Sequence, residues 1–223
     1  MINPYRAVVL GSSGAVGSRL LDELLASPAC SEVQVVVRRP SARGAHPKII
    51  PRVVDFERYL SSLSFNSEVA FCTMGVGEPS KVSKEQLWKV DVDLALAFAR
   101  CCHASGVRHI SLLTAAGADA KSRSYYFKVK GAVEEGFTAL GFPRTSFFRP
   151  SLLLTPQARY GLKDRVLQSV FPRVSGVLPS KWRPVRIEDL ARAMRVNAER
   201  PAGAEAVEIF HYDDFLRLTS AEA

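Results

Sequence analysis

The stretch VVLGSSGAVGSRLLDELLAS, Val8 to Ser27, constrains the fold more than any other part of this chain. An apolar run enters three glycines, Gly11, Gly14 and Gly17, in the pattern G-x-x-G-x-x-G. Val16, Leu20, Leu21, Leu24 and Leu25 then recur at helical spacing, and Pro28 ends the pattern. A strand that turns over glycines straight into a helix opens a βαβ unit. Gly11 allows the tight turn, Gly14 lets the backbone approach a pyrophosphate, and Gly17 lets the helix pack on the sheet. Ala15 and Val16 open that helix, where unpaired N–H groups and the helix dipole favour an anion.

The rest of the chain continues the alternation. EVQVVVRR, KIIPRVVDF, EVAFCTMG, VRHISLLTA and RTSFFRPSLLL read as further strands, and Pro51 marks KIIPRVVDF as an edge or a break. SKEQLWKVDVDLALAFARCCHAS reads as one long helix capped by Ser83 and stopped at Gly106. SYYFKVKGAVEEGFTAL reads as another, ending at Gly141. Such alternation predicts an α/β fold, a Rossmann-type doubly wound parallel sheet flanked by helices. The 223 residues fit one domain, 1–223, with a core over about 5–155 and a small substrate-covering region over about 156–223. In that last region KDRVLQSVFP and RIEDLARAMRVNAER look helical, and AVEIFHYDDFLRL gives a last strand and a short helix. Tyr160, Phe171, Leu178 and Trp182 suggest apolar pocket walls there.

Composition narrows the partners. The four cysteines and four histidines are dispersed without metal-ligand spacing, so no metal site is expected. The net charge of +8 has no K/R-rich run or aromatic-interleaved motif behind it, which argues against nucleic acid. No apolar run approaches the ~20 residues of a membrane span, and the N-terminus lacks a signal-peptide pattern. A cytoplasmic location is the resulting expectation.

The second strand ends VQVVVRRP, with Arg38 and Arg39 at its tip and no carboxylate. An acidic residue there would grip the ribose 2′-hydroxyl of NAD, whereas arginine pairs with a 2′-phosphate, so NADP(H) is expected. Ser12 and Ser13 offer hydroxyls to the same phosphate. Asp55, followed by Phe56, falls where such folds place a carboxylate near the adenine. Cys72, Thr73, Met74 and Gly75 run out of the fourth strand beside the expected cofactor. Tyr126 and Lys130 are four residues apart on a helix, so phenol and ammonium share a face. The cation eases proton exchange by the phenol and reaches the nicotinamide ribose. Thr114, twelve residues before Tyr126, supplies a strand-end hydroxyl to steady a substrate oxygen, with Ser111 a poorer candidate. Tyr125 has no lysine at i+4.

These motifs resemble the short-chain dehydrogenases/reductases. GSSGAVGSRLLDELL, HPKIIPRVVDF, YYFKVKGAVEEG and FFRPSLLL narrow the resemblance to the atypical members, in the subgroup around the Tat-interacting tumour-suppressor oxidoreductase. It covers roughly Ala7 to Leu154. It implies a Rossmann-type fold, NADP(H) binding with Arg149 and Pro150 among the cofactor-binding residues, and catalysis by Thr114, Tyr126 and Lys130. Family members usually carry Ser in place of Thr114 and Asn in place of Asp91. Two readings follow. One is an NADPH-dependent oxidoreductase passing hydride to a carbonyl-type small molecule. The other is a non-catalytic NADP(H) sensor acting through a protein partner. A homo-oligomer is compatible with either.

Overall fold

The protein is described by a computed structural model, in which residues 4–40, 45–59, 62–155 and 179–220 are described. Its centre is a seven-stranded sheet in the order β3-β2-β1-β4-β5-β6-β9, with every neighbouring pair parallel. The strands are β1 (Tyr5–Leu10), β2 (Cys30–Val37), β3 (Ile49–Val53), β4 (Val69–Cys72), β5 (His109–Leu113), β6 (Arg144–Phe148) and β9 (Val207–Phe210). Two short strands, β7 (Leu153–Leu154) and β8 (Val185–Arg186), pair separately. Pro51 lies in β3, the edge strand, where its missing N–H faces no neighbour.

Parallel strands need crossovers, and the helices that make them cover both faces. Alternate β1 side chains serve the two cores. Ala7 and Val9 pack beneath α1 (Ala15–Ala26) and α6 (Ile187–Glu199). Val8 and Leu10 pack beneath α4 (Ala95–Ala104) and α5 (Tyr125–Ala139). Phe148 stacks against Phe210 at 5.0 Å and Phe215 at 5.9 Å, joining β6 to β9 and to α7 (Tyr212–Ser220). The four cysteines are buried, and none is in a disulfide.

The expected long helix is not uniform. Ser83 caps α3 (Lys84–Trp88) by accepting from Gln86 N at 3.1 Å, and Gly106 has the positive φ, 79°, of a helix stop. Between α3 and α4, however, Lys89–Leu94 is a π-helix. Such insertions re-aim side chains, and here Asp91 is buried inside. Between β3 and β4 lies the short helix α2 (Phe56–Tyr59). Of the C-terminal expectations, α6, β9 and α7 complete the sheet edge and one of its faces, while KDRVLQSVFP lies outside the described residues.

A buried polar network closes the seam between β5, β6, β9 and α6. The Ser146 hydroxyl donates to Glu208 at 2.9 Å, accepts from Asn197 at 3.0 Å and lies 2.9 Å from His109 Nε2. Arg144 donates to Glu208 at 2.9 Å and to Asn197 at 2.9 Å. Burial, reinforced by Arg144 and Arg200, pushes the His109 imidazole well below its ordinary value.

Two outcomes are expected. A Cβ at Gly17 would stand 2.1 Å from the Gly11 carbonyl oxygen and 2.5 Å from Thr73 Oγ1, whereas one at Gly14 meets only Gly11 O, at 3.3 Å. Urea unfolding should therefore show Gly17→Ala losing about 1–3 kcal/mol and Gly14→Ala clearly less. The second concerns pH. An unfolded His109 takes up a proton near its ordinary 6.5, which the folded one resists. Its stabilising share is present in full above that value and is lost as pH falls toward the folded-state value. Urea unfolding should show stability falling between pH 7.5 and 5.5, and His109→Gln should remove most of that slope.

Candidate functional site

The crevice lies where the chain reverses direction across the sheet. After β1 it moves to one side, to β2, and after β4 to the other, to β5, so the carboxyl ends of β1 and β4 part between their loops. Gly11 has φ of 93°, and a Cβ on it would stand 2.5 Å from Met74 N. Thr73 seals the joint, its N–H and hydroxyl both donating to Leu10 O at 2.9 and 3.2 Å. Gly14 is the N-cap of α1, and no side chain caps that first turn. With only one close neighbour for a Gly14 Cβ, the fold itself makes little demand for glycine there. An uncapped helix start beside an open backbone suits an anion.

The remaining turn residues divide by burial. Ser12 is buried and Ser13 exposed, while the Val16 side chain is packed in the core. Cys72 is fully buried, and burial pushes its thiol up to about 12, so its side chain serves the core. Met74 packs partly into the same core, and Gly75 lies open beside Lys130.

Beside the tip of β2 is a cleft of about 820 Å³. Arg38, Asp55 and Phe56, three expected adenosine contacts, line it together with Glu57, Lys89 and Leu94. Arg39 is exposed and outside that lining. Sequence reasoning passed over Glu57 and Lys89, which meet only once α2 and the π-helix are packed together.

Tyr126 and Lys130 do share a face of α5. Lys130 Nζ lies 5.7 Å from the Tyr126 ring centroid. Lys130 is 7% exposed and forms an ion pair at 2.8 Å with Asp91, which is 3% exposed. The other Asp91 oxygen accepts from Val76 N at 2.8 Å, tying the loop after β4 to the same carboxylate. Burial alone pulls the Lys130 ammonium down, but Asp91 and Tyr126 outweigh it, and its pKa stands above the ordinary lysine value. Asp91 thus acts as a direct partner of Lys130. Tyr125 is turned elsewhere, donating to Lys84 O at 3.1 Å.

Thr114 is held apart from that pair. Its hydroxyl donates to Glu134 Oε1 at 2.6 Å, with the Phe148 carbonyl at 3.4 Å. Arg149 Nε also donates to Glu134 Oε1, at 2.9 Å, and its Nη2 pairs with Oε2. Glu134 continues the face of Tyr126 and Lys130 one turn on, about 12 Å along the axis from Tyr126. A hydroxyl has one proton, and in this geometry Glu134 receives it. The hydroxyl expected to steady substrate oxygen is therefore engaged with a carboxylate. Arg149 is engaged there too, and the Pro150 carbonyl accepts from Ala116 N at 2.9 Å, binding the loops after β5 and β6 together. Ser111 is fully buried within β5. The i+4 spacing from Lys130 to Glu134 was the one available signal for the carboxylate.

Gly131 sets how closely α5 lies on this floor. A Cβ on it would stand 2.0 Å from Ala120 N and 2.2 Å from the Asp119 carbonyl carbon. Trp182 is 39% exposed, and the other expected pocket walls, Tyr160, Phe171 and Leu178, lie outside the described residues. Among the described residues no group of His, Cys, Asp and Glu could hold a metal, and no helix is long and apolar enough to cross a membrane.

No family model matches the chain. It is similar to HTATIP2 of Rattus norvegicus, at 32% identity over 94% of this chain and 87% of that protein. It is also similar to the mitochondrial protein fmp52 of Emericella nidulans, at 29% identity over 94% of this chain and 96% of the relative. Among solved structures, UDP-glucuronic acid 4-epimerase from Bacillus cereus, in complex with UDP-glucuronic acid and NAD, superposes with a TM-score of 0.71. That match has 13% identity and covers 93% of this chain and 77% of the epimerase, a likeness of fold. The expected cytoplasmic location is corrected by these relatives. The fmp52 proteins of Emericella nidulans and of two Aspergillus species are named as mitochondrial. The absence of a signal-peptide pattern speaks only to secretion, and the step from there to the cytoplasm was unsupported. With the crevice, the glycine turn and a relative matched along nearly the whole chain, this protein belongs to the atypical short-chain dehydrogenase/reductase family, alongside HTATIP2 and the fmp52 proteins.

Proposed function

We propose that the chain is an NADP(H)-dependent oxidoreductase acting on a carbonyl-type small molecule. The observation that carries this reading is the pairing of Tyr126 with Lys130, pinned by Asp91 beside Gly75 at the crevice. The fit to a dinucleotide rests on the uncapped start of α1 and on the space at Gly14. In this reading the loop 11–17 holds the pyrophosphate and Arg38 the 2′-phosphate. The nicotinamide supplies the hydride when bound, and the protein supplies position and electrostatics. Tyr126 carries the proton at its phenolic oxygen. Lys130 holds the ribose, and its charge eases proton release from the phenol. Asp91 keeps Lys130 in place.

A second reading has one observation in its favour. With its proton given to Glu134, Thr114 offers a substrate oxygen no donor. A protein that binds NADP(H) and reports on it to a partner needs no such donor. Whichever reading holds, we take 1–223 as a single domain.

Titration of both cofactors should show NADP(H) bound at least tenfold more tightly than NAD(H). Charge-assisted bonds to a phosphate are worth roughly 1.5–3 kcal/mol, and no carboxylate at the β2 tip favours the 2′-hydroxyl. Arg38→Ala should bring the two affinities close together, and equal affinities in the wild type would refute the preference.

For catalysis, aldehydes, ketones and quinones are screened for NADPH oxidation. Tyr126→Phe should lower turnover about 10²–10⁴-fold with cofactor affinity largely kept, while Tyr125→Phe stays near wild type. Lys130→Met alone leaves the Asp91 carboxylate buried and unpaired, a loss of about 3–5 kcal/mol of stability. Combined with Asp91→Asn it should fold better and still bind the cofactor weakly. Normal turnover in Tyr126→Phe would remove the phenol from the mechanism. Nucleotide binding without reduction of any compound would leave the sensor reading standing.

A further inference from the structure

The cleft beside Arg38 takes a second cation from the helical run. Lys89, at the start of the π-helix, lines the same cleft and pairs at 2.9 Å with Glu57 of α2. Both side chains are largely exposed, so the pair is accessible to a ligand and weak enough to exchange. The lining as a whole holds two cations, Arg38 and Lys89, against three carboxylates, Asp55, Glu57 and Glu85. A dianionic phosphate entering beside Arg38 meets that acidic excess. Asp55 has its own cation in Arg58, at 3.9 Å, so the carboxylate such a phosphate competes with is Glu57, the exposed partner of Lys89. Arg39, adjacent to Arg38 in sequence, is outside the lining and does not compensate.

We propose that Lys89 is a specificity-determining residue for the 2′-phosphate. Glu57 holds it in the free protein, and the phosphate takes it over on binding. Arg38 and Lys89 then grip the phosphate from two walls of the cleft, one on the sheet and one on the helical run, while Glu57 swings out to water. No bond is made or broken; one ion pair replaces another. Glu57 sets the degree of discrimination, because the phosphate competes with it, whereas a 2′-hydroxyl leaves the Lys89–Glu57 pair undisturbed. This inference rests on the NADP(H) reading above.

The test is a titration of NADP(H) and NAD(H) against wild type, Lys89→Met, Lys89→Arg, Glu57→Gln and Arg38→Ala, with a thermal melt of each variant. Lys89→Met should lose about three- to tenfold in NADP(H) affinity at low salt, with NAD(H) changed less than about twofold. Lys89→Arg should retain the preference, and Glu57→Gln should raise NADP(H) affinity about two- to fivefold. Unchanged NADP(H) affinity in Lys89→Met, or an equal loss for both cofactors, overturns the role of Lys89. If Arg38→Ala abolishes the preference while Lys89→Met does not, the cofactor reading survives and this inference alone fails. A wild type that binds neither nucleotide overturns the cofactor reading and this inference with it.

Discussion

The structure turns on a contact between backbones. The start of α1 lies against the turn that leaves β1, and the end of β4 closes the other side, with Gly17 facing Gly11 O and Thr73. A side chain at Gly17 would push the helix off the sheet. With the helix in place, its first turn points into the parting between β1 and β4, and both cores close beneath it through alternate residues of β1. The position of the crevice and its attraction for an anion both descend from that approach.

The electrostatics of α5 are more restrained than its sequence suggests. One face carries a phenol, an ammonium and a carboxylate in successive turns, and the last two are already engaged. Lys130 meets Asp91, and Glu134 meets Arg149 and Thr114. Buried ion pairs contribute little net stability when intact, but each partner is strongly destabilising if left alone, so these groups are fixed together. What remains uncommitted on that face is the Tyr126 phenol. A proton-exchanging site can work with a phenol and a nearby cation, but one without a second hydroxyl donor has less to stabilise an oxyanion. This tension is the physical content of the choice between enzyme and sensor.

Local chemistry was legible in the sequence, and long-range pairing was not. The glycine turn, the Ser83 cap, the stop at Gly106 and the edge placement of Pro51 depend on neighbours a few residues away. Asp91 looked like a departure from an expected Asn because its partner, Lys130, lies on another helix. The π-helix that turns it inward leaves no mark in apolar spacing. Thr114 looked available because its distance from Tyr126 along the chain was right. Its hydroxyl was decided by Glu134, a residue whose direction only the packed helix fixes. Arg38 and Arg39 were equivalent as letters, and the fold separates them, one into the cleft and one outside its lining.

Gly131 carries a consequence for how finely the phenol is placed. Where two elements meet through side chains, a change on either surface can be absorbed by a different rotamer. At Gly131 the helix meets residues 119–120 through main chain, which has no rotamers to change. Tyr126 stands little more than one helical turn from that contact, on a rigid rod. The reach of the phenol is thus calibrated by the thickness of two peptide backbones. Drift elsewhere in the sequence can alter what lies above the crevice while leaving this calibration intact.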